Sequence, residues 1–143
     1  GRWSSRLPPG QYCYRPHCHL APPMSSANKR RGTLFESASE EYAIASGLRA
    51  KRLPRAGAND IGDMSIELKS GTVLVCELKD WAKPAWPEFF RQAHIEADNY
   101  ERKYRVPTVP LVMVKSRRQG VNRNLVVFYA EDFYDLLHRE GLA

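Results

Sequence analysis

Asn59-Asp60-Ile61-Gly62-Asp63, followed by Val75-Cys76-Glu77-Leu78-Lys79, is the stretch that decides how this chain folds. The first segment leads into Met64, Ile66 and Leu68, which alternate with Asp63, Ser65 and Glu67. That period of two marks a strand. Lys69-Ser70-Gly71-Thr72 reads as a tight turn, which makes the second segment the returning strand. Alternation puts Val73, Val75, Glu77 and Lys79 on one face and Leu74, Cys76 and Leu78 on the other. Both faces are mostly apolar, so the strand is expected inside a sheet. A carboxylate and an ammonium at the end of such a strand are costly unless paired or bound to a metal. Asp63 on the neighbouring strand is placed to complete a divalent-metal site. Acidic oxygen ligands plus waters suit Mg²⁺, and Lys79 can then stabilise a phosphate or activate water.

Upstream, Asn28-Lys29-Arg30-Arg31-Gly32 is a basic entry to a helix over residues 33–46. Leu34, Phe35, Ala38, Tyr42 and Ala45 form its expected apolar stripe. Thr33-Leu34-Phe35-Glu36 fits a capping box, with Thr33 capping and Glu36 reaching back to its amide. Gly47 is a natural stop. Residues 48–55 carry Arg49, Lys51, Arg52 and Arg55, and Pro54 excludes a central strand position. Two readings of these charges stand: a solvated edge that resists aggregation, or a rim that contacts phosphates.

Downstream, Pro84 and Pro87 end the strand, and Pro87 suits the first turn of a helix over residues 87–104. Phe89, Phe90, Ala93, Ala97, Tyr100 and Tyr104 supply its apolar face. Gln92, Glu96 and Asn99 form a polar row on one side, either exposed surface or part of a site, and His94 reads as a surface histidine. Residues 109–115 are an apolar strand ending in a basic cluster of Lys115, Arg117 and Arg118. Residues 124–129 read as another strand. Residues 131–139 read as a closing helix that packs Phe133, Leu136 and Leu137. The order is helix, three strands, helix, two strands, helix.

The 143 residues suit one domain. The formal charge of +6, with a pI near 9.4, favours an anionic partner. Half of that charge sits in residues 1–27, where Arg2, Arg6 and Arg15 stand without an acid, so nucleic-acid binding must rest on local clusters. Residues 1–27 are expected to be a disordered leader, and residues 28–143 the folded domain. Cys13, His17, Cys18 and His19 invite a zinc reading, but their spacing matches no common finger. No apolar run approaches membrane-spanning length and no secretory signal is visible. An odd count of three cysteines, with Cys76 in the core strand, points to a cytoplasmic protein without structural disulfides.

Glu77-x-Lys79 alone is a weak signal; its conjunction with Asp63, a preceding helix carrying Glu36 and a following helix carrying Gln92 is stronger. This pattern resembles the PD-(D/E)xK nuclease superfamily, which has a restriction-endonuclease-like αβββαβ core, an α/β fold with a central mixed sheet flanked by helices. Across residues 28–118, the stretches Lys29 to Glu36, Gly57 to Asp63 and Cys76 to Lys79 look like the small Holliday junction resolvases, whether archaeal-type, actinobacterial or phage. The resemblance implies Mg²⁺ (with Mn²⁺ as a substitute) bound by Asp63, Glu77, Glu36 and the Leu78 carbonyl. Lys79 would orient or activate the attacking water, and Gln92 would be an accessory residue. Gly62 departs from the proline of the superfamily's motif name, and Asp60 competes with Asp63 as the aspartate.

The implied activity is paired nicking of four-way DNA junctions in recombination, repair or phage DNA processing, in the cytoplasm or in that of a host. A homodimer would present two equivalent sites, with Trp81, Trp86, Phe90 and the final helix as candidate contacts. Lys29, Arg30, Arg31, Arg49, Lys51, Arg52, Arg55, Lys115, Arg117 and Arg118 would track the DNA backbone. The alternatives are a different DNA nuclease of the superfamily (restriction-like, repair or exonucleolytic) and a non-catalytic DNA-binding module.

Overall fold

The computed structural model describes residues 26–143. The Cys13, His17, Cys18 and His19 group and nearly all of the expected leader lie outside the described residues. The chain runs α1 (Ser26–Ala45), β1 (Arg49–Arg52), β2 (Met64–Glu67), β3 (Val73–Lys79), α2 (Trp86–Tyr104), β4 (Thr108–Val114), β5 (Leu125–Val127) and α3 (Ala130–Arg139). The five strands form one mixed sheet in sequence order. β1, β2 and β3 are antiparallel neighbours, β3 and β4 are parallel, and β5 is antiparallel to β4. The parallel step follows from α2, because two parallel strands need a long crossover.

Sheet alternation sorts the core into two layers. Met64, Ile66, Cys76, Leu78 and Leu111 pack with Phe35 of α1. Val73 and Val75 pack with Ala97, and Val112 and Val114 pack with Phe89, Phe90 and Ala93, all four on α2. Glu77 and Lys79 continue the Val73 and Val75 row, so they project toward α2.

The β2–β3 hairpin closes as expected. The Leu68 amide donates to the Thr72 carbonyl at 2.9 Å, and Gly71 takes φ +93°. β1 is an edge strand that ends before Pro54. Helix α1 ends in a Schellman arrangement, with the Leu48 amide bonded to the Ala43 carbonyl, the Gly47 amide to the Ile44 carbonyl, and Gly47 at φ +86°.

Four expectations need correction. α1 begins at Ser26, so Thr33 is mid-helix and its capping box does not form; an interior residue already has helical backbone bonds. The buried stripe of α1 is Phe35, Glu36, Ser39 and Ala43, while Leu34 is 62% exposed and Tyr42 45%. β5 spans only Leu125–Val127 of the expected 124–129, and its Leu125 and Val126 are exposed, so it is a short edge strand. α3 buries none of its residues fully, and Phe133 lies largely outside the core.

Candidate metal centre at the β2–β3 end

The site begins with Gly62. Its φ of +103° is a left-handed geometry, and a Cβ there would lie 2.6 Å from Val75 Cγ1. Proline, locked near −65°, cannot occupy this position. The chain then turns into β2. The Asp63 amide donates to the Cys76 carbonyl at 3.0 Å, and Asp63 Oδ2 accepts the Leu78 amide at 2.8 Å. Asp63 is thereby clamped against the end of β3. Asp60 does a different job: its Oδ1 accepts the Ala56 amide across the short turn at Gly57–Asn59, and its carbonyl accepts from Asn99 at 2.9 Å. It shapes the loop that delivers Asp63.

Glu77 is 3% exposed, and Lys79 Nζ sits 2.8 Å from its Oε1. The same ammonium donates to Gln92 Oε1 at 3.0 Å and lies 5.2 Å from the centre of the Phe89 ring. Gln92 in turn donates to Glu96 Oε1 at 3.0 Å. These contacts form a chain from Glu77 through Lys79 and Gln92 to Glu96, joining β3 to α2. Glu96 stands where the sequence left a polar row open. It is 5% exposed and lies against Glu77. Periodicity showed the row, but only the packing of α2 on β3 shows that Glu96 faces inward.

The electrostatics are unbalanced. Burial, reinforced by the neighbouring Glu77 carboxylate, raises Asp63 to a pKa of about 7. Burial and the adjacent Glu96 raise Glu77 to about 8, against the opposing pull of Lys79. Burial also raises Glu96. Glu77 Oε2 and Glu96 Oε2 are buried oxygens without a hydrogen-bond partner. Two acceptors in contact cannot bond each other, so a proton or a cation must lie between them. The donor set is all oxygen, which suits a hard dication. Asp63, Glu77 and Glu96 thus suit Mg²⁺ or Mn²⁺ by donor type, while their ligand oxygens do not all lie within 4.8 Å of one another.

Glu36 is brought to the same cleft but is engaged otherwise. Its Oε2 is 3.0 Å from Arg52 Nη2, and its Oε1 is 3.2 Å from Arg55 Nη2. Leu78 also lines the cleft, a space of about 960 Å³ bounded by Glu36, Asp63, Glu77, Lys79, Gln92 and Glu96.

The basic residues divide into three sets. Arg52 and Arg55 are committed to Glu36, and Arg49 is 3.8 Å from Glu67 on the adjacent strand. Arg31, Lys115 and Arg117 surround Asp80. Lys29, Arg30, Lys51 and Arg118 are exposed. His94 is not a free surface residue: its Nδ1 lies 2.8 Å from the Phe90 carbonyl and its Nε2 2.9 Å from Asp132, tying α2 to α3. Glu131 brings a third ligand atom within 4.8 Å of these two. Cys76 is a fully buried free thiol whose pKa is pushed up by burial, so it is chemically quiet. Among the described residues no helix is long and apolar enough to cross a membrane. Neither a family model nor a curated protein matches this chain.

Proposed function

We propose that this protein is a divalent-metal-dependent DNA endonuclease of the PD-(D/E)xK kind, with a four-way junction as its favoured substrate. The observation that carries the reading is the convergence of Asp63, Glu77 and Lys79 at one end of the β2–β3 hairpin, with Glu96 opposite and two buried carboxylate oxygens unpartnered. Such a group is costly in a monomer core unless a proton or a cation lies between its oxygens, because desolvating carboxylates is unfavourable. The restriction-endonuclease-like form of the sheet and helices belongs to the same proposal.

Asp63, Glu77 and Glu96 would hold Mg²⁺. Bound there, the ion would polarise the phosphate and supply hydroxide near neutral pH. Lys79 has a fixed position, set by Glu77 and Gln92, from which its ammonium can orient water and balance charge on the phosphate. Water adds to phosphorus, the bond to the 3′-oxygen breaks, and the leaving oxygen takes a proton; the products carry a 5′-phosphate and a 3′-hydroxyl. Phe89 beneath Lys79 limits water around the ammonium.

Pairing of two subunits would supply the two nicks a junction needs. Trp86 and Phe90 pack in the monomer, against Phe89 and Tyr129, so they are not free to form that contact. The exposed Leu125, Val126, Phe133 and Tyr134 of β5 and α3 fit it better.

The test is strand-labelled four-way, flap, single-stranded and linear duplex DNA incubated with the protein, with Mg²⁺ or with a chelator, and the nicks mapped. Paired symmetric nicks in the junction, dependent on Mg²⁺, are expected. Cleavage of linear DNA at equal rate would favour another nuclease of the superfamily. Tight binding without cleavage of any form, in Mg²⁺ or Mn²⁺, would favour a non-catalytic binding module.

A further inference from the structure

Beyond Lys79 the cleft has a second wall that the chemistry above does not use. Asp80 follows the last residue of β3, and its side chain is only 5% exposed. Arg117 Nη1 lies 3.0 Å from its Oδ1; Arg31 Nε lies 3.5 Å and Lys115 Nζ 3.9 Å from its Oδ2. The three cations arrive from separate places. Arg31 is on α1, Lys115 is just past β4, and Arg117 is in the following loop. The Lys115 amide donates to the Lys79 carbonyl at 3.0 Å, which extends the parallel ladder and sets Lys115 beside Asp80. One buried carboxylate balances one cation, so two positive charges remain on this wall. Arg31 and Arg117 line the same cleft as Glu77 and Lys79.

This differs from the other basic groups. At Glu36 two arginines, 37% and 69% exposed, share one carboxylate, whereas Asp80 is met by three cations. Around Asp80 the cations outnumber their anchor while their own side chains stay 38% to 54% exposed. Long basic side chains lose rotamer freedom when they grip an anion. Asp80 draws them within ion-pair distance, which removes part of that cost, and neither of its buried oxygens accepts a hydrogen bond from them. Guanidinium forks match phosphate oxygens in a way that a point charge does not.

We propose that Arg31, Lys115 and Arg117 form a phosphate seat for the nucleotide beside the scissile one, and that Asp80 is its positioning residue. The identity of the anion as a DNA backbone phosphate rests on the nuclease reading above; the seat itself rests on the geometry of Asp80. The seat sets the register of the strand by holding a neighbouring phosphate, while Glu77 and Lys79 face the one to be cut.

The experiment is a binding scan in chelator, so that its readout does not need cleavage. DNA carrying a single neutral methylphosphonate is moved one position at a time past the nick site. Wild-type protein is expected to lose roughly tenfold in affinity at one position next to the nick, the scale of a charge-assisted phosphate contact. Arg117→Ala should lose that affinity with unmodified DNA, show no further loss at that position, and lower the salt slope by about 0.9. Asp80→Asn should flatten the same position. Simple charge counting gives the opposite sign, since removing an anion from a DNA-facing wall should tighten binding. Tighter binding with an unchanged scan would overturn the proposal. If Asp80→Asn shows no melting transition, Arg31→Ala and Arg117→Ala decide, and a scan unchanged in both overturns it. A position-specific loss without any Mg²⁺-dependent cleavage would sink the nuclease reading and leave the seat standing. Cleavage without a sensitive position would do the reverse.

Discussion

Glu77→Gln separates the metal reading from a purely structural one, because it should raise stability while abolishing activity. In the folded protein Glu77 is pushed from 4.5 to about 8, chiefly by burial. An acid with a raised folded-state pKa favours the fold while protonated. That contribution is complete below pH 4.5 and is lost as pH rises through about 8. At 1.36 kcal/mol per unit, the metal-free protein should be destabilised at pH 9 by roughly 3–5 kcal/mol relative to a neutral side chain there. Glutamine keeps the shape and an acceptor for Lys79, and carries no charge. Metal-free Glu77→Gln should therefore melt close to wild type near pH 4.5 and progressively higher as pH rises to 9. At a few degrees per kcal/mol, the difference should reach about 10 °C. Mg²⁺ at a hundred times its dissociation constant should return about 2.7 kcal/mol to the wild type and nothing to the variant. The assay is thermal melting by circular dichroism across pH, with and without Mg²⁺. Equal Mg²⁺ shifts in the two proteins, or a difference that shrinks with pH, would refute the reasoning.

Lys79→Ala should reduce cleavage by about 10²-fold or more while leaving junction binding within a few-fold, checked by single-turnover kinetics beside gel-shift titration. Glu96→Gln should weaken Mg²⁺ binding measured by calorimetry and raise the metal concentration needed for cleavage; an unchanged isotherm would remove Glu96 from the site. Gly62→Ala should cost about 1–3 kcal/mol in urea unfolding, because φ +103° and the close Val75 methyl both oppose a Cβ. Phe133→Glu with Tyr134→Glu should turn a dimer into a monomer by light scattering at unchanged melting temperature; an already monomeric wild type would defeat the pairing proposal.

The legible parts of the fold are those governed by local periodicity. Alternation over Val73 to Lys79 specifies the hairpin, its two faces and the shared direction of Glu77 and Lys79. The phase of the first helix is not legible in its apolar residues. Its buried stripe includes Glu36 and Ser39, which an apolar pattern cannot flag. Glu36 is tolerated there only because Arg52 and Arg55 come from another element to meet it. Phe133 illustrates the reverse error, an apolar side chain that the chain itself does not cover.

By itself the sequence determined the strand pair, its tight turn, and the shared face of Glu77 and Lys79. These follow from side-chain alternation and backbone sterics among near neighbours. Only the tertiary structure decided that Glu96 meets Glu77, that Gln92 holds Lys79, and that Asp80 collects three cations. Those contacts depend on the rotation of α2 over β3 and on the parallel register of β3 with β4. Both are set by packing of the whole core, which no local pattern encodes.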